Sequence, residues 1–190
     1  VPATGSIRIG ARTAYTMARQ FHPTETSNMN TAPEALAKSI EQAARLVLFF
    51  TEDLKGGDWT HRPCAGANCA AWIVGHLILS SRSMMQRAGH TDLPALPEDF
   101  EKRFARDDTA PKAVDYGDVS NLRDLFKQHH DLMSAVAARQ TPENLARDLN
   151  MNHPIFTTVG AMFAFAPVHI GTHAGQISTI RRSLGRPALV

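Results

Sequence analysis

Two histidines four residues apart, His169 and His173, are the residues best placed for chemistry. On a helix, residues at this spacing lie on one face a turn apart, so both imidazoles can reach one metal ion. Alone the pattern is weak, because the chain has nine histidines and a structural pair would explain it better. His76 has the same apolar helical setting, where an unbound histidine is costly. Three histidines on such apolar helical surfaces can meet in one core.

Four apolar helical stripes would position these histidines. The predicted helices run from a capping box at Thr31 to Leu54, from Asn68 to Arg87, from Ser120 to Arg139, and from Thr157 or Thr158 to Leu184. Short helical turns are predicted at 99–104 and after Thr141. No stretch alternates with the period of a strand. The sequence predicts an all-α protein, a four-helix bundle.

The connection between the second and third helices, 90–117, is too long for an ordinary bundle turn. A connection of this length can cross the bundle, so these two helices are predicted to run in the same direction. Pro167 lies inside the fourth helix, two residues before His169, and removes one backbone hydrogen bond. A bulge there would re-aim His169, but a harmless kink is favoured.

Composition and charge exclude several classes of function. The chain has 190 residues, 43% of them hydrophobic, which suits one domain. Its formal net charge of +2 gives no indication of binding to nucleic acid or to an anionic membrane. The two cysteines, Cys64 and Cys69, do not form a zinc knuckle. Two reduced thiols in a cytoplasmic protein are favoured over an oxidisable thiol near the site.

Residues 1–30 differ from the remainder of the chain. This segment is rich in arginine and poor in acidic residues, as transit peptides are. A start at Met29 is a simpler explanation and is favoured. In either case, 1–30 is predicted to be an extension outside the core, and 31–190 the bundle.

Several segments resemble one family. The residues WIVGHL at 72–77 resemble the W-x-x-G-H-L of the second helix in the DinB-like (DinB/YfiT) superfamily, and HIGTHAGQI at 169–177 is similar to its last-helix signature, H-x-x-x-H-x-G-Q-I. The exit at 181–187 resembles the family's R-x-x-L-G-x-P, and Pro63, Gly66 and Asn68 fit its loop before the second helix. The resemblance covers about 31–190.

The resemblance implies a bundle with up-down-down-up connectivity that is often dimeric. It also implies one divalent metal ion per chain on His76, His169 and His173. Three imidazoles leave positions open for water or substrate, as in catalytic sites. They suit zinc, nickel, iron(II) or copper without choosing among them. Related families include transferases that use low-molecular-weight bacterial thiols and a maleylpyruvate isomerase.

Five further residues are candidates for the surroundings of the metal or for a pocket: Trp72, His129, Phe165, Thr172 and Gln176. For His129 a packing role is favoured, and for Gln176 an interhelix contact is favoured over orienting a ligand. His130 is predicted to face water. The remaining predictions for single histidines place His61, His90 and His153 at the surface.

The expected function is a metal-dependent enzyme acting on a small molecule, as a thiol transferase with a small thiol cosubstrate or as a hydrolase or isomerase. A homodimer is expected from the resemblance alone. Two alternatives stay open. One is a non-catalytic metal-binding stress-response protein, and the other is a bundle with vestigial histidines that serves protein interaction.

Overall fold

Six α-helices and one 3-10 turn make up the secondary structure of residues 31–106 and 115–189, which the computed structural model describes. The helices are α1 (Ala32–Phe50), α2 (Ala70–Arg87), α3 (Phe100–Phe104), α4 (Leu122–Ala138), α5 (Pro142–Ala146) and α6 (Val159–Ser183), and the 3-10 turn is Gly56–Trp59. Within these residues the β-structure is one isolated bridge. The all-α prediction is confirmed. The prediction for 1–30 lies outside the described residues.

The four long helices α1, α2, α4 and α6 are the four that the apolar stripes predict. α1 packs mainly against α4 and α6, and α2 also packs against α4 and α6. Helices α1 and α2 therefore lie across one diagonal of the bundle, although they are neighbours in sequence. The relative directions of the second and third helices stay a prediction.

α1 begins as predicted and ends earlier. The Thr31 hydroxyl caps its first turn by accepting a long hydrogen bond, 3.5 Å, from the Glu34 N–H. The helix ends at Phe50, and Thr51 is its C-cap residue. Leu54 was predicted in the helix, but it is buried beyond it, where its carbonyl accepts a hydrogen bond from the Trp59 indole (3.2 Å).

The second helix was predicted to begin at Asn68, but its N-cap is Cys69 and α2 begins at Ala70. Near its middle, Gly75 lets α3 lie directly against it. A Cβ atom at Gly75 would be 2.1 Å from Cδ1 of Phe104, which is far closer than two carbon atoms can approach. Gly75, beside His76, thus allows α3, which is part of the long connection, to pack against α2.

α6 carries two of the three candidate ligands. The Thr158 hydroxyl caps it by accepting a hydrogen bond from the Ala161 N–H (3.2 Å). The helix continues through Pro167 for 25 residues and ends at Ser183. Gly185 follows with φ of +76°, as expected for a residue just past a helix end. The continuous helix keeps His169 and His173 on one face.

A buried arginine ties the end of α6 to the end of α1. Arg181 is 2% exposed, donates to the Phe50 carbonyl (3.1 Å) and forms an ion pair with Asp53. Asp53 also accepts from Arg186 (2.8 Å), and hydrogen bonding by Arg181 lowers the pKa of this carboxyl group. No described helix is both long enough and apolar enough to cross a membrane.

Candidate metal centre

His76 of α2 meets His169 and His173 of α6 at one point of the bundle. The ring centroid of His76 lies 5.4 Å from that of His169 and 5.1 Å from that of His173. The ring centroids of His169 and His173 are 4.7 Å apart. One nitrogen from each ring lies within 4.8 Å of the others. We call these three residues the triad. The structure therefore brings together the three histidines that the sequence pattern singles out.

The triad is held in a largely desolvated setting. His173 is 8% exposed, and the other two are partly buried. Burial, with a smaller effect of neighbouring positive charge, lowers the pKa of His76 and of His169 to about 4. Burial also lowers the pKa of His173. All three imidazoles are consequently neutral at pH 7, which is the form that binds metal ions.

Two aromatic side chains fix the planes of the triad rings. The Trp72 indole, one turn before His76, stacks on the His76 imidazole with centroids 4.7 Å apart and an interplanar angle of 6°. The Phe165 ring, one turn before His169, lies 5.9 Å from that imidazole at an angle of 27°. Both residues follow the four-residue spacing that places side chains on one helix face.

Two polar groups set the hydrogen bonding of the triad. Nδ1 of His173 donates to Oε1 of Gln176 (3.1 Å), so that Nε2 keeps its lone pair for a metal ion. This contact is with a candidate ligand on the same helix, whereas an interhelix contact was favoured from the sequence. The hydroxyl of Ser80, one turn after His76, lies 3.4 Å from Nε2 of His76. The sequence analysis did not identify Ser80.

A cavity of about 620 Å³ opens beside the triad. Aromatic rings, thioethers and aliphatic side chains form most of its wall, and the polar groups are hydroxyls, histidines and arginines. Its lining residues are Trp72, His76, Leu79, Ser80, Ser83, Met84, Arg87, Phe104, Arg106, Met151, His153, Ile155, Phe156, Met162, Phe165, His169 and His173. A cavity of this size and character suits a small molecule.

Trp72 and Phe165 line the cavity, but two other candidates lie elsewhere. Nε2 of His129 accepts from Nη1 of Arg82 (3.2 Å), and its Nδ1 donates to the Leu125 carbonyl (2.8 Å). Thr172 is exposed, and its hydroxyl donates to the carbonyl of Val168 in the same helix (2.9 Å). Neither side chain is in the cavity wall.

The prediction that His130 faces water is wrong, because this residue is 2% exposed. Its Nδ1 donates to the Phe126 carbonyl (2.9 Å), and the two rings stack with centroids 3.9 Å apart. α4 packs against both α1 and α2. Its buried face is therefore wider than one stripe and includes His130 as well as His129.

His153 was predicted to be a surface residue, but it is half-buried and lines the cavity. Its ring stacks on Phe156 with centroids 3.9 Å apart, and its Nδ1 accepts from the N–H of Ile155 (3.2 Å). No periodic signal marks this loop residue. Of the two free cysteines, Cys64 is exposed and Cys69 is buried at the start of α2, and neither lines the cavity.

Comparisons with known proteins agree with this architecture. The chain is similar to a crystal structure described as the conserved protein of a locus from Enterococcus faecalis, with 15% identity and a TM-score of 0.62, over 80% of this chain and 97% of that one. That likeness concerns the fold alone. No curated protein matches. The family model of the DinB superfamily matches 39–177, a span that includes all three histidines. The chain therefore belongs to the DinB superfamily.

Proposed function

We propose that this chain is a metal-dependent enzyme that holds one divalent metal ion on the triad and acts on a small molecule in the adjacent cavity. The observation that carries the proposal is the convergence of three neutral imidazoles in the wall of a largely apolar cavity. A purely structural cluster would have no need of open space beside it. Perturbed titratable groups in a cavity are typical of functional sites.

The triad fits a divalent metal ion by its donor chemistry. Its three nitrogens are neutral and lie within 4.8 Å of one another, a separation that small side-chain rotations can close. Imidazole is a good ligand for zinc, nickel and iron(II), so the donor set leaves the choice among them open. Three protein ligands, rather than four, are typical of catalytic centres.

A metal ion held there would supply Lewis acidity, which serves thiol transfer, hydrolysis and isomerisation alike. The residues around the triad prepare the site for such chemistry. Trp72 fixes the His76 ring, and Gln176 keeps Nε2 of His173 unprotonated. Most of the cavity wall is apolar, and surroundings of low dielectric constant strengthen electrostatic interactions. A low-molecular-weight thiol is proposed as cosubstrate on the strength of the family resemblance alone.

His153 lines the cavity and can form a hydrogen bond with a molecule bound there. Because its Nδ1 accepts a backbone N–H, the hydrogen of the neutral ring is on Nε2. This nitrogen can donate a hydrogen bond to a molecule in the cavity. We therefore assign His153 the role of a substrate hydrogen-bond donor.

Metal analysis by plasma mass spectrometry of untagged protein tests the centre. Wild type is expected to hold about one ion per chain, and His169→Ala is expected to lose it. His61→Ala is the matched control, since His61 is bonded to Ser183 and lies outside the cavity lining. A wild type that takes up no zinc, nickel or iron(II) on incubation would refute the proposed centre.

Turnover distinguishes an enzyme from the two alternatives. Metal-loaded wild type and His169→Ala are compared on electrophilic small molecules, with and without a low-molecular-weight thiol. Metal-dependent turnover supports the enzyme. Stoichiometric metal without turnover favours a non-catalytic metal-binding protein. If the histidines are vestigial, no stoichiometric metal is found and His173→Ala changes the stability little.

A further inference from the structure

The charged groups among the described residues of the cavity wall are all of one sign. Two arginines, Arg87 and Arg106, line the cavity, and none of the described lining residues is an aspartate or glutamate. The three triad histidines are neutral, so they do not offset this charge. A cavity with walls of low dielectric constant concentrates the field of such groups. Within the described lining, the guanidinium of Arg87 therefore favours an anionic molecule over a cation.

Arg87 and the triad mark two separated regions of one wall. Arg87 is the last residue of α2 and follows His76 by eleven residues. Eleven residues are close to three helical turns, so both side chains are on one face, with their Cα atoms about 16 Å apart along the helix axis. Leu79 and Ser83 lie between them on the same lining. Because the Arg87 guanidinium reaches back to Ser83, which is seven residues or about 10 Å along the axis from His76, a molecule that reaches both regions must be elongated.

The Arg87 guanidinium is oriented by neutral partners. Its Nε donates to Oγ of Ser83 (3.3 Å), and its Nη1 contacts Sδ of Met151 (3.6 Å). Arg87 forms no ion pair in the part of the chain that the structure describes. A guanidinium offers its N–H groups as a planar fork that matches a carboxylate. The side chain is thus positioned for an anion that the protein itself does not provide.

Most of the remaining cavity wall is apolar. It is formed by the thioethers of Met84 and Met151 and by the rings of Phe156 and Phe165, among others. Such a wall stabilises a hydrocarbon or aryl body by burying it from water. The donors at that end are the Arg87 guanidinium and the Ser83 hydroxyl, which suit a carboxylate.

We propose that the cavity takes an elongated apolar carboxylate whose carboxylate group binds Arg87 and whose opposite end lies at the triad. This inference rests on the proposed function in one respect, namely that the cavity is the substrate site. The binding selectivity can be measured without a metal ion. Its failure is therefore distinguishable from the failure of the metal centre, which metal analysis reports.

The test is a fluorescence titration of the full chain with phenyloctanoate and with phenyloctanamide, which have the same length and apolar body. Trp72 lines the cavity and reports binding, and a Trp59→Phe background removes the signal of the other, buried indole. Titrations are made after chelation, so that the carboxylate cannot gain affinity by ligating a metal ion. Wild type is expected to bind the carboxylate about tenfold more tightly than the amide.

Three substitutions locate the charge that gives this preference. Arg87→Met is expected to reduce it to less than about twofold, and Arg87→Lys to retain part of it. Arg139→Met is the matched control, because Arg139 is exposed at the end of α4, outside the cavity lining, and its loss changes the net charge equally. It is expected to leave the preference unchanged. Circular dichroism melting verifies that each variant is folded.

Three results would overturn the proposal. One is equal affinity of wild type for the carboxylate and the amide. Another is a preference that survives in Arg87→Met. The third is a preference abolished by Arg106→Met but not by Arg87→Met, which would place the anion at the triad end, where the charge of Arg106 acts on His76.

Discussion

The indole of Trp72 lies flat against the imidazole of His76, with ring centroids 4.7 Å apart and planes 6° from parallel. The Trp72 indole also lies edge-to-face with the His173 imidazole, with ring centroids 6.3 Å apart. Since a ligand ring must keep its orientation when the metal ion binds, this stack acts as a preformed support. It also explains why a large aromatic residue stands one turn before a candidate ligand.

Replacing Trp72 tests this support. Trp72→Leu is expected to weaken metal binding roughly 2- to 10-fold, because an aromatic pair contributes about 0.5–1.5 kcal/mol beyond burial. Trp72→Phe keeps a stacking ring and is expected to remain close to wild type. Competition with a chromophoric chelator measures both dissociation constants. Equal affinities for Trp72→Leu and wild type would show that the stack does not support the ligand.

Gln176 provides a second, polar support, and its loss should weaken metal binding more. Gln176→Met removes the acceptor for Nδ1 of His173. Hydrogen-bond partners of metal-binding histidines typically contribute 10- to 100-fold in metal affinity. Because Gln176 is exposed to solvent, the expected loss is at the lower end of this range, about tenfold. Thr172→Val is the control on the same helix, because that hydroxyl bonds only the Val168 carbonyl. The same competition assay should show less than about twofold change for it. A matching loss in both variants would contradict the role of Gln176.

The long helices and the pairing of the histidines could be predicted because both follow from local periodicity. Capping residues and apolar spacing identify α1, α2, α4 and α6, and the i, i+4 rule places His169 beside His173 on one face. The family resemblance then adds His76. None of these steps requires knowledge of how distant segments meet.

The cavity could not be predicted in the same way, because its wall depends on the path of irregular segments. Phe104 and Arg106 come from the long connection after α2, and His153 from the loop before α6. Their positions are set by tertiary contacts such as the one between Phe104 and Gly75. Likewise, His130 is buried because α4 has two packing partners, which a single stripe does not reveal.

Gly75 is expected to be the glycine of α2 and α6 least tolerant of a side chain. Gly75→Ala places a Cβ atom 2.1 Å from the Phe104 ring, so the ring and α3 must move. Overpacking of this kind typically costs about 1–3 kcal/mol, which exceeds the gain of roughly 1 kcal/mol from replacing a helical glycine by alanine. We expect a net loss of stability and a displaced cavity wall.

Gly171→Ala is the matched control, since a Cβ at Gly171 meets open space in the same structure. Helix propensity alone then acts, and stability is expected to rise by up to about 1 kcal/mol. Urea unfolding followed by circular dichroism measures both variants. Stabilisation by Gly75→Ala would mean that α3 does not pack against this part of α2.

Acid should destabilise the fold through His130, because the burial of its ring outweighs the nearby charge of Asp131, which favours the protonated form. Burial lowers its pKa to about 4, against an ordinary value of about 6.5. Between these values the unfolded chain binds more protons than the folded protein. The stability is therefore fully present above pH 6.5 and is lost as the pH falls towards 4, by at most about 1.4 kcal/mol per pH unit for one histidine.

His130→Leu isolates this contribution. At pH 7.5 the variant lacks the hydrogen bond to Phe126 and is expected to be as stable as wild type or less so. As the pH falls from 6.5 to 4.5, its stability relative to wild type should rise, because leucine has no proton to bind. Metal-free protein is used, so that the triad, whose pKa values are also lowered, acts equally in both proteins. If the free energy of unfolding of the variant relative to wild type stays constant across this range, His130 does not titrate on unfolding. If it rises as the pH falls, burial of the neutral ring is one cause of the acid sensitivity.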